Sequence, residues 1–233
     1  MILVAEIGSN HKGIPALAFE MLRQAKLAGA DIAKFQFGHA RGHDDTAQDM
    51  RRWATDYAVQ LQGWCNYLDI ELMASIFSQE GLDVARQVGM KRYKIAYGTA
   101  TNNAALCEAI LADNRETFVS GYKQLLASAK REHASPWPCA RPIWVLSEYP
   151  AYPWRLKEMP QYFDDQGYYG YSDHTPGIEG CLLAISRGAQ YVEKHFTLDK
   201  TENSIKDHPF SATPEEFADL ARLGKPLSRI VNG

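Results

Sequence analysis

The chain has 233 residues, 45% of them apolar, and a formal charge of -3, so it is long enough for one sizeable core and lacks the basic excess of a nucleic-acid binder. Cys65, Cys107, Cys139 and Cys181 are widely spaced, with no CxxC pair, which argues for reduced thiols in a cytoplasm-like compartment over a disulfide framework or a zinc ribbon. The opening MILVAEIG is interrupted at Glu6 and has no basic lead, and no run is long enough to span a bilayer, so the expectation is a cytoplasmic protein without signal peptide or membrane anchor.

Short β-rich runs alternate with longer helical ones about eight times along the chain. The predicted strands are Ile2–Ile7, Asp31–Phe37, Glu71–Ser75, Arg92–Tyr97, Thr117–Ser120, Pro142–Ser147, Tyr168–Tyr171 and Tyr191–His195. Between them periodicity predicts helices over Ala16–Ala28, Arg51–Tyr67, Gln79–Val88, Ala104–Ala112, Tyr122–Glu132, Arg155–Phe163 and Ile178–Arg187, with Pro214–Leu223 as the last. Strand–helix alternation implies parallel pairing, because a helix is the usual crossover. Eight such units predict a (β/α)8 TIM barrel occupying residues 1–233 as a single domain. A doubly wound open sheet is the alternative, but no GxGxxG follows the first strand.

In a barrel, alternate residues of each strand point inward. In DIAKFQFG, Ala33, Phe35 and Phe37 form an apolar outer face, which turns Lys34 and Gln36 inward. In RYKIAYG, Tyr93, Ile95 and Tyr97 face outward, and Arg92 and Lys94 inward. A lone buried ammonium is costly, so two inward lysines imply internal carboxylates, with Glu6, Glu71 and Glu193 as candidates, or an anionic ligand. Lys34, Gln36, Ser75, Lys94, Ser120, Ser172, His174 and His195 all fall near carboxyl ends of strands, the face where barrel enzymes keep their chemistry. The same parity places Gly170, Ser172 and His174 on one face and Glu193, His195 and Thr197 on another. His174 and His195 thus end neighbouring strands, either as a divalent-metal pair or as hydrogen-bonded core histidines. Asp173 points the opposite way and is expected to orient a neighbouring loop.

Seven stretches resemble the sialic acid synthase family: AEIGSNHKG at 5–13, AKFQF at 33–37, YKIA at 93–96, SEYP at 147–150, GYSDHTPGI at 170–178, EKHFTLDK at 193–200 and DHPFSATPEEF at 207–217. They run in the family's order and span nearly the whole chain. The resemblance implies condensation of phosphoenolpyruvate with an aldose, an N-acylated amino sugar or a related aldehyde, to give a nonulosonic-type α-keto acid. It implies that His174 and His195 hold a divalent metal, Mn2+ first and Mg2+ second. It also implies that Lys34, Lys94, Ser75 and Ser172 serve the phosphoenolpyruvate site and that Glu6, Gln36, Tyr149 and Asp207 lie toward the sugar, with Glu6 and Asp207 as candidate proton carriers; Ser120 and Ser147 are further substrate-binding candidates. Asn10 and His11 would shape the rim. A homodimer is the expected association.

The chain departs from the family pattern in places. Tyr97 and Thr99 stand where relatives carry a Ser and a Glu, Ile76 replaces a proline, and Val119 stands where a serine is common, which suggests a lost phosphate donor. Lys206 is added beside Asp207, and the chain stops at Gly233 without a counterpart of the small C-terminal antifreeze-like domain of relatives. Two other readings stay open: a Schiff-base aldolase using Lys34 or Lys94, and a degenerate barrel that binds an acidic or phosphorylated metabolite without turnover.

Overall fold

The computed structural model describes residues 1–38, 45–128, 137–202 and 204–233. Strands β1 (Ile2–Glu6), β2 (Ile32–Phe37), β3 (Glu71–Ile76), β4 (Tyr93–Ile95), β5 (Thr117–Ser120), β6 (Ala140–Val145), β7 (Gly170–Asp173) and β8 (Tyr191–His195) pair in sequence order. All pairs are parallel and β8 returns to β1, so the sheet closes on itself as the alternation predicts. Helices α1 (Pro15–Leu27), α2 (Asp45–Asp56), α3 (Ala58–Leu68), α4 (Gln79–Gln87), α5 (Tyr97–Asn102), α6 (Ala104–Leu111), α7 (Tyr122–Ser128), α8 (Glu179–Ser186) and α9 (Pro214–Asn232) connect or follow the strands.

Local chemistry sets several of these boundaries. Ser78 caps α4 by accepting from the Gly81 N–H at 3.2 Å, and Pro15 opens α1 where a missing N–H costs nothing. Thr213 and Glu216 form a reciprocal capping box at the start of α9. That helix runs beyond Leu223 and through Pro226 to Asn232. Gly224 lets it lie against α8, since a Cβ there would stand 2.7 Å from Ile185 Cδ1.

Other predicted boundaries shift as well, with β6 at Ala140–Val145 instead of Pro142–Ser147 and β7 at Gly170–Asp173 instead of Tyr168–Tyr171. The single helix expected over Arg51–Tyr67 breaks at Tyr57, whose backbone (φ -93, ψ 10) leaves the helical region. The stretch expected as a helix over Arg155–Phe163 is a 3-10 segment, Pro153–Glu158. The strand expected to reach Tyr97 stops at Ile95, because Ala96 (φ -72, ψ 157) caps α5. Tyr97 therefore leaves the outer face of Tyr93 and Ile95. The predicted helix beyond Ser128 falls outside the described residues.

Two apolar clusters flank the barrel wall. The larger, between strands and helices, takes Ala33, Phe35, Phe37, Tyr93 and Ile95 from the outer strand faces. The smaller packs the barrel interior with Val4, Ile32, Met73, Phe118, Ile143 and Tyr191, beneath a hollow at the carboxyl end of the strands. Arg92 is not part of that hollow: its guanidinium bonds Glu71 at 2.9 Å and Glu116 at 3.0 Å at the amino ends of the strands. Glu71 is thereby excluded as a counter-ion of the inward lysines. Among the described residues, no helix is long and apolar enough to cross a membrane.

Gly170 sits at the tightest point of the wall, where a Cβ would lie 2.2 Å from Tyr191 O. Gly170→Ala should destabilise the fold by about 3 kcal/mol through overpacking. Gly63→Ala, in a helix position with nothing within 4 Å of the added carbon, should stabilise it by about 0.5–1 kcal/mol. Urea unfolding of the two variants checks both signs.

Candidate active site

The carboxyl ends of the strands open into a cavity of 760 Å³. Glu6, Lys34, Gln36, Ser75, Lys94, Ser120, Ser147, Tyr149, Ser172, His174, His195 and Asp207 all line it, so every candidate from the sequence reaches one hollow. Glu193, Arg51, Lys206 and Tyr97 line it as well. Gly8 permits this crowding: its backbone is left-handed (φ 54), and a Cβ would press within 3.0 Å of Glu6 Oε1.

The two inward lysines differ in their surroundings. Lys34 Nζ lies 2.5 Å from Glu6 Oε2 and 3.6 Å from Glu193 Oε1, and donates to Ser75 Oγ at 2.8 Å. Burial works against its charge, but Glu193 and Glu6 carry its pKa above the ordinary lysine value. Lys94 Nζ donates to Ser120 Oγ at 2.8 Å and to Ile95 O at 3.3 Å, and among the described residues it forms no ion pair. Burial, with the charge of Lys34 reinforcing it, lowers Lys94 to about 8. The internal ion-pair layer thus exists for Lys34, whereas Lys94 has no direct carboxylate contact among the described residues and is favoured as a cation by Glu193 and Glu6 only at longer range.

The two carboxylates split in the same way. Glu193 accepts from Ser172 Oγ at 2.9 Å and from the Tyr191 hydroxyl. Burial would raise it, yet Lys34 and Lys94, with these donors, hold it at about 2. Glu6 is raised to about 7 by burial, which the nearby Lys34 only partly offsets. A carboxyl group poised near neutrality can both give and take a proton.

The imidazoles of His174 and His195 converge, with ring centres 5.4 Å apart. His174 Nδ1 lies 2.8 Å from Leu146 O. A carbonyl only accepts, so Nδ1 carries the proton and Nε2 is left with a free lone pair. His195 Nδ1 is buried without a hydrogen-bond partner, 3.8 Å from Asp207 Oδ2. Burial lowers His174 to about 4 and takes His195, further repelled by His174 and Lys34, well below the usual range. Both rings are therefore neutral at pH 7, the state in which imidazole ligates metals. Among the described residues, no group of three or more His, Cys, Asp or Glu gathers around one point. The donor set is two nitrogens, which suits a divalent ion whose other positions take water or substrate.

Around these groups lies a wall of polar, aromatic and further charged side chains. Gln36 donates to Glu6 Oε1 at 3.1 Å and accepts from Arg51 Nε at 2.9 Å. The Arg51 guanidinium lies 4.1 Å from the Phe77 ring centre. Tyr149 stacks near His174 at 4.2 Å, with Lys206 Nζ 5.6 Å from its ring. Burial pushes the Tyr149 hydroxyl up to about 12 and raises Asp207, whose Oδ1 has no hydrogen-bond partner.

Arg51 is the residue that sequence reasoning missed, since it arrives from a helix whose periodicity only marked it as a helix start. Val119 needs correction in the other direction. Its side chain belongs to the outer core, so valine there removes no donor from the hollow. Asn10 and His11 support the rim from beneath: Asn10 Nδ2 donates to Phe196 O at 2.9 Å and Ser211 Oγ at 3.1 Å, and His11 packs against Trp53 at 4.6 Å. Asp173 points away from the cavity, as parity predicts, and binds Thr175 and Lys194.

Comparison with known proteins adds the lineage. The mouse (Mus musculus) N-acetylneuraminate-9-phosphate synthase is 27% identical over 98% of this chain and 73% of its own length. The N,N'-diacetyllegionaminic acid synthase of Legionella pneumophila is 30% identical over 94% of this chain and 70% of its own. Among solved structures, the N-acetylneuraminic acid (sialic acid) synthetase of Leptospira borgpetersenii, in complex with citrate, superposes with a TM-score of 0.85 at 25% identity, over 100% of this chain and 85% of that one. The NeuB family model matches residues 38–231, and with these relatives it establishes that the chain belongs to the NeuB family.

Proposed function

We propose that this protein is a sugar-acid synthase that joins phosphoenolpyruvate to the aldehyde carbon of an open-chain aldose. The observation that carries the reading is the meeting of a buried ammonium without a direct carboxylate contact among the described residues, Lys94, with a neutral imidazole pair in one hollow. The relatives' names support the product class.

Phosphoenolpyruvate brings a carboxylate and a phosphate, and Lys94 and Lys34 with the hydroxyls of Ser75, Ser120 and Ser172 offer charge and donors for both. His174 and His195 would hold Mn2+ or Mg2+, which when bound supplies Lewis-acid polarisation of the aldehyde oxygen. Gln36, Tyr149 and Asp207 present hydrogen-bonding groups to the sugar chain. The methylene carbon of the enol ester bonds to the aldehyde carbon, and the aldehyde oxygen gains a proton. Water then adds to the former enol carbon and loses one proton, which balances the one gained by the aldehyde oxygen; phosphate departs with its bridging oxygen as the remaining hydroxyl proton leaves with it, and the carbonyl of the α-keto acid forms. Glu6, raised to about 7, would exchange these protons, with Asp207, also raised by burial, as the second candidate.

A Schiff-base reading is favoured by one observation alone, the lowering of Lys94 to about 8 beside a second ammonium. Lys34 drops out of that reading, because its carboxylate partners keep it charged. Borohydride treatment with pyruvate should trap no adduct on Lys94.

With phosphoenolpyruvate, Mn2+ and a panel of aldoses, the protein should release phosphate and form an α-keto acid, and a chelator should stop it. Lys94→Met should lower kcat/KM by about 100-fold, as expected for losing a buried charge donor. Absence of phosphate release with every acceptor, in folded protein that still binds phosphoenolpyruvate, would favour the binding-only barrel.

The pH dependence of binding follows from the same groups. Below about 8 Lys94 is charged, and below about 7 Glu6 is protonated; both states favour an anion. Affinity for phosphoenolpyruvate should therefore weaken steadily as pH rises from about 6.5 to 9, and Lys94→Arg, which stays charged, should flatten the upper part of that curve. Calorimetric titration across this range checks it.

A further inference from the structure

Asp173 and Lys194 are the charged residues at these strand ends that the proposed reaction leaves unused. They sit side by side in register on β7 and β8, facing the helices, and pair at 3.0 Å with both side chains fully buried. Asp173 is saturated. Its Oδ1 accepts from the Tyr171 hydroxyl at 2.7 Å and from the Thr175 N–H and hydroxyl, each at 2.8 Å. Its Oδ2 accepts from the Cys181 thiol at 3.2 Å as well as from Lys194. Lys194 Nζ donates in addition to Thr175 O.

His174 is therefore held between two residues, Asp173 and Thr175, that the same ion pair clamps, and His195 directly follows Lys194. Alternation along the strands turns the clamped side chains outward and the imidazoles inward. Gly180 of α8 closes over the cluster: a Cβ there would lie 2.9 Å from Thr175 Oγ1 and 3.3 Å from Asp173 Oδ1. A buried ion pair contributes little stability compared with an apolar pair of similar volume. What a fully satisfied one supplies is a single permitted arrangement.

We propose that the Asp173–Lys194 ion pair is a positioning device, which fixes the chain on both sides of His174 and immediately before His195 so that the two imidazoles converge. The proposal rests on the reading of these histidines as joint ligands of a divalent ion. In its terms Asp173 and Lys194 touch neither substrate nor metal; they act through the backbone that carries the ligands.

The test compares the native protein with an Asp173→Asn/Lys194→Met double variant and with Gly180→Ala, which leaves both charges in place and presses on their cluster. Three quantities are read: cooperative unfolding, nitrogen-15 spectra that report each imidazole's tautomer, and Mn2+ affinity by calorimetry. The double variant should unfold cooperatively, lose the single Nδ1–H form of His174, and bind Mn2+ about 10- to 100-fold more weakly. Gly180→Ala should shift the spectra and the affinity in the same direction by less. A folded double variant with native imidazole spectra and native Mn2+ affinity would overturn the proposal. If the native protein binds no Mn2+, the ligand reading falls and the imidazole spectra alone decide the positioning role. If the double variant does not fold, Gly180→Ala decides by the same spectra.

Discussion

Lys34, Lys94, Glu6 and Glu193 share the mouth of a closed barrel whose lower half is packed with apolar side chains. Charges taken out of water must be compensated, and here the compensation is uneven. Lys34 is held by Glu6, with Glu193 within 3.6 Å, while Lys94 has only a hydroxyl and a carbonyl. The imbalance sets the electrostatics of the hollow, because it leaves one cation without a direct carboxylate contact and one carboxyl near neutrality. Packing elsewhere serves this arrangement: the apolar outer faces of β2 and β4 bury against helices and thereby drive Lys34 and Lys94 inward.

The imidazole pair depends on the same burial in a different way. Desolvation keeps both rings neutral, so the groups that would repel each other as cations can approach closely. Each ring is fixed from a separate direction, His174 through Leu146 O and His195 through the strand that pairs with β1. A site assembled on strand ends has little freedom to relax, which suits a function that needs several groups at one point.

Gln36 links the two halves of the cavity. It receives Arg51 on one side and gives its amide N–H to Glu6 on the other, so the Glu6 carboxyl is oriented from a helix as well as from its own strand. Such relays make the behaviour of a buried carboxyl depend on residues distant in sequence.

Much of this was legible in the order of residues. Strand–helix alternation and period-two patterning are local properties, and they sufficed to predict the closed barrel, the inward Lys34, Gln36 and Lys94, the shared hollow of His174 and His195, and the outward Asp173. Parity, however, says which face a residue occupies and not how far along the barrel axis it lies. That is why Arg92, inward by pattern, proved to sit at the opposite end with Glu71 and Glu116; Val119 has no bearing on the cavity for the other reason, since parity itself turns it outward beside the inward Ser120. The division of labour between Lys34 and Lys94, the neutrality of the imidazoles, and the arrival of Arg51 beside Gln36 are set by distances between segments far apart in the chain. Electrostatic energies depend on those distances and on exclusion of water, and both exist only once the ring of strands has closed.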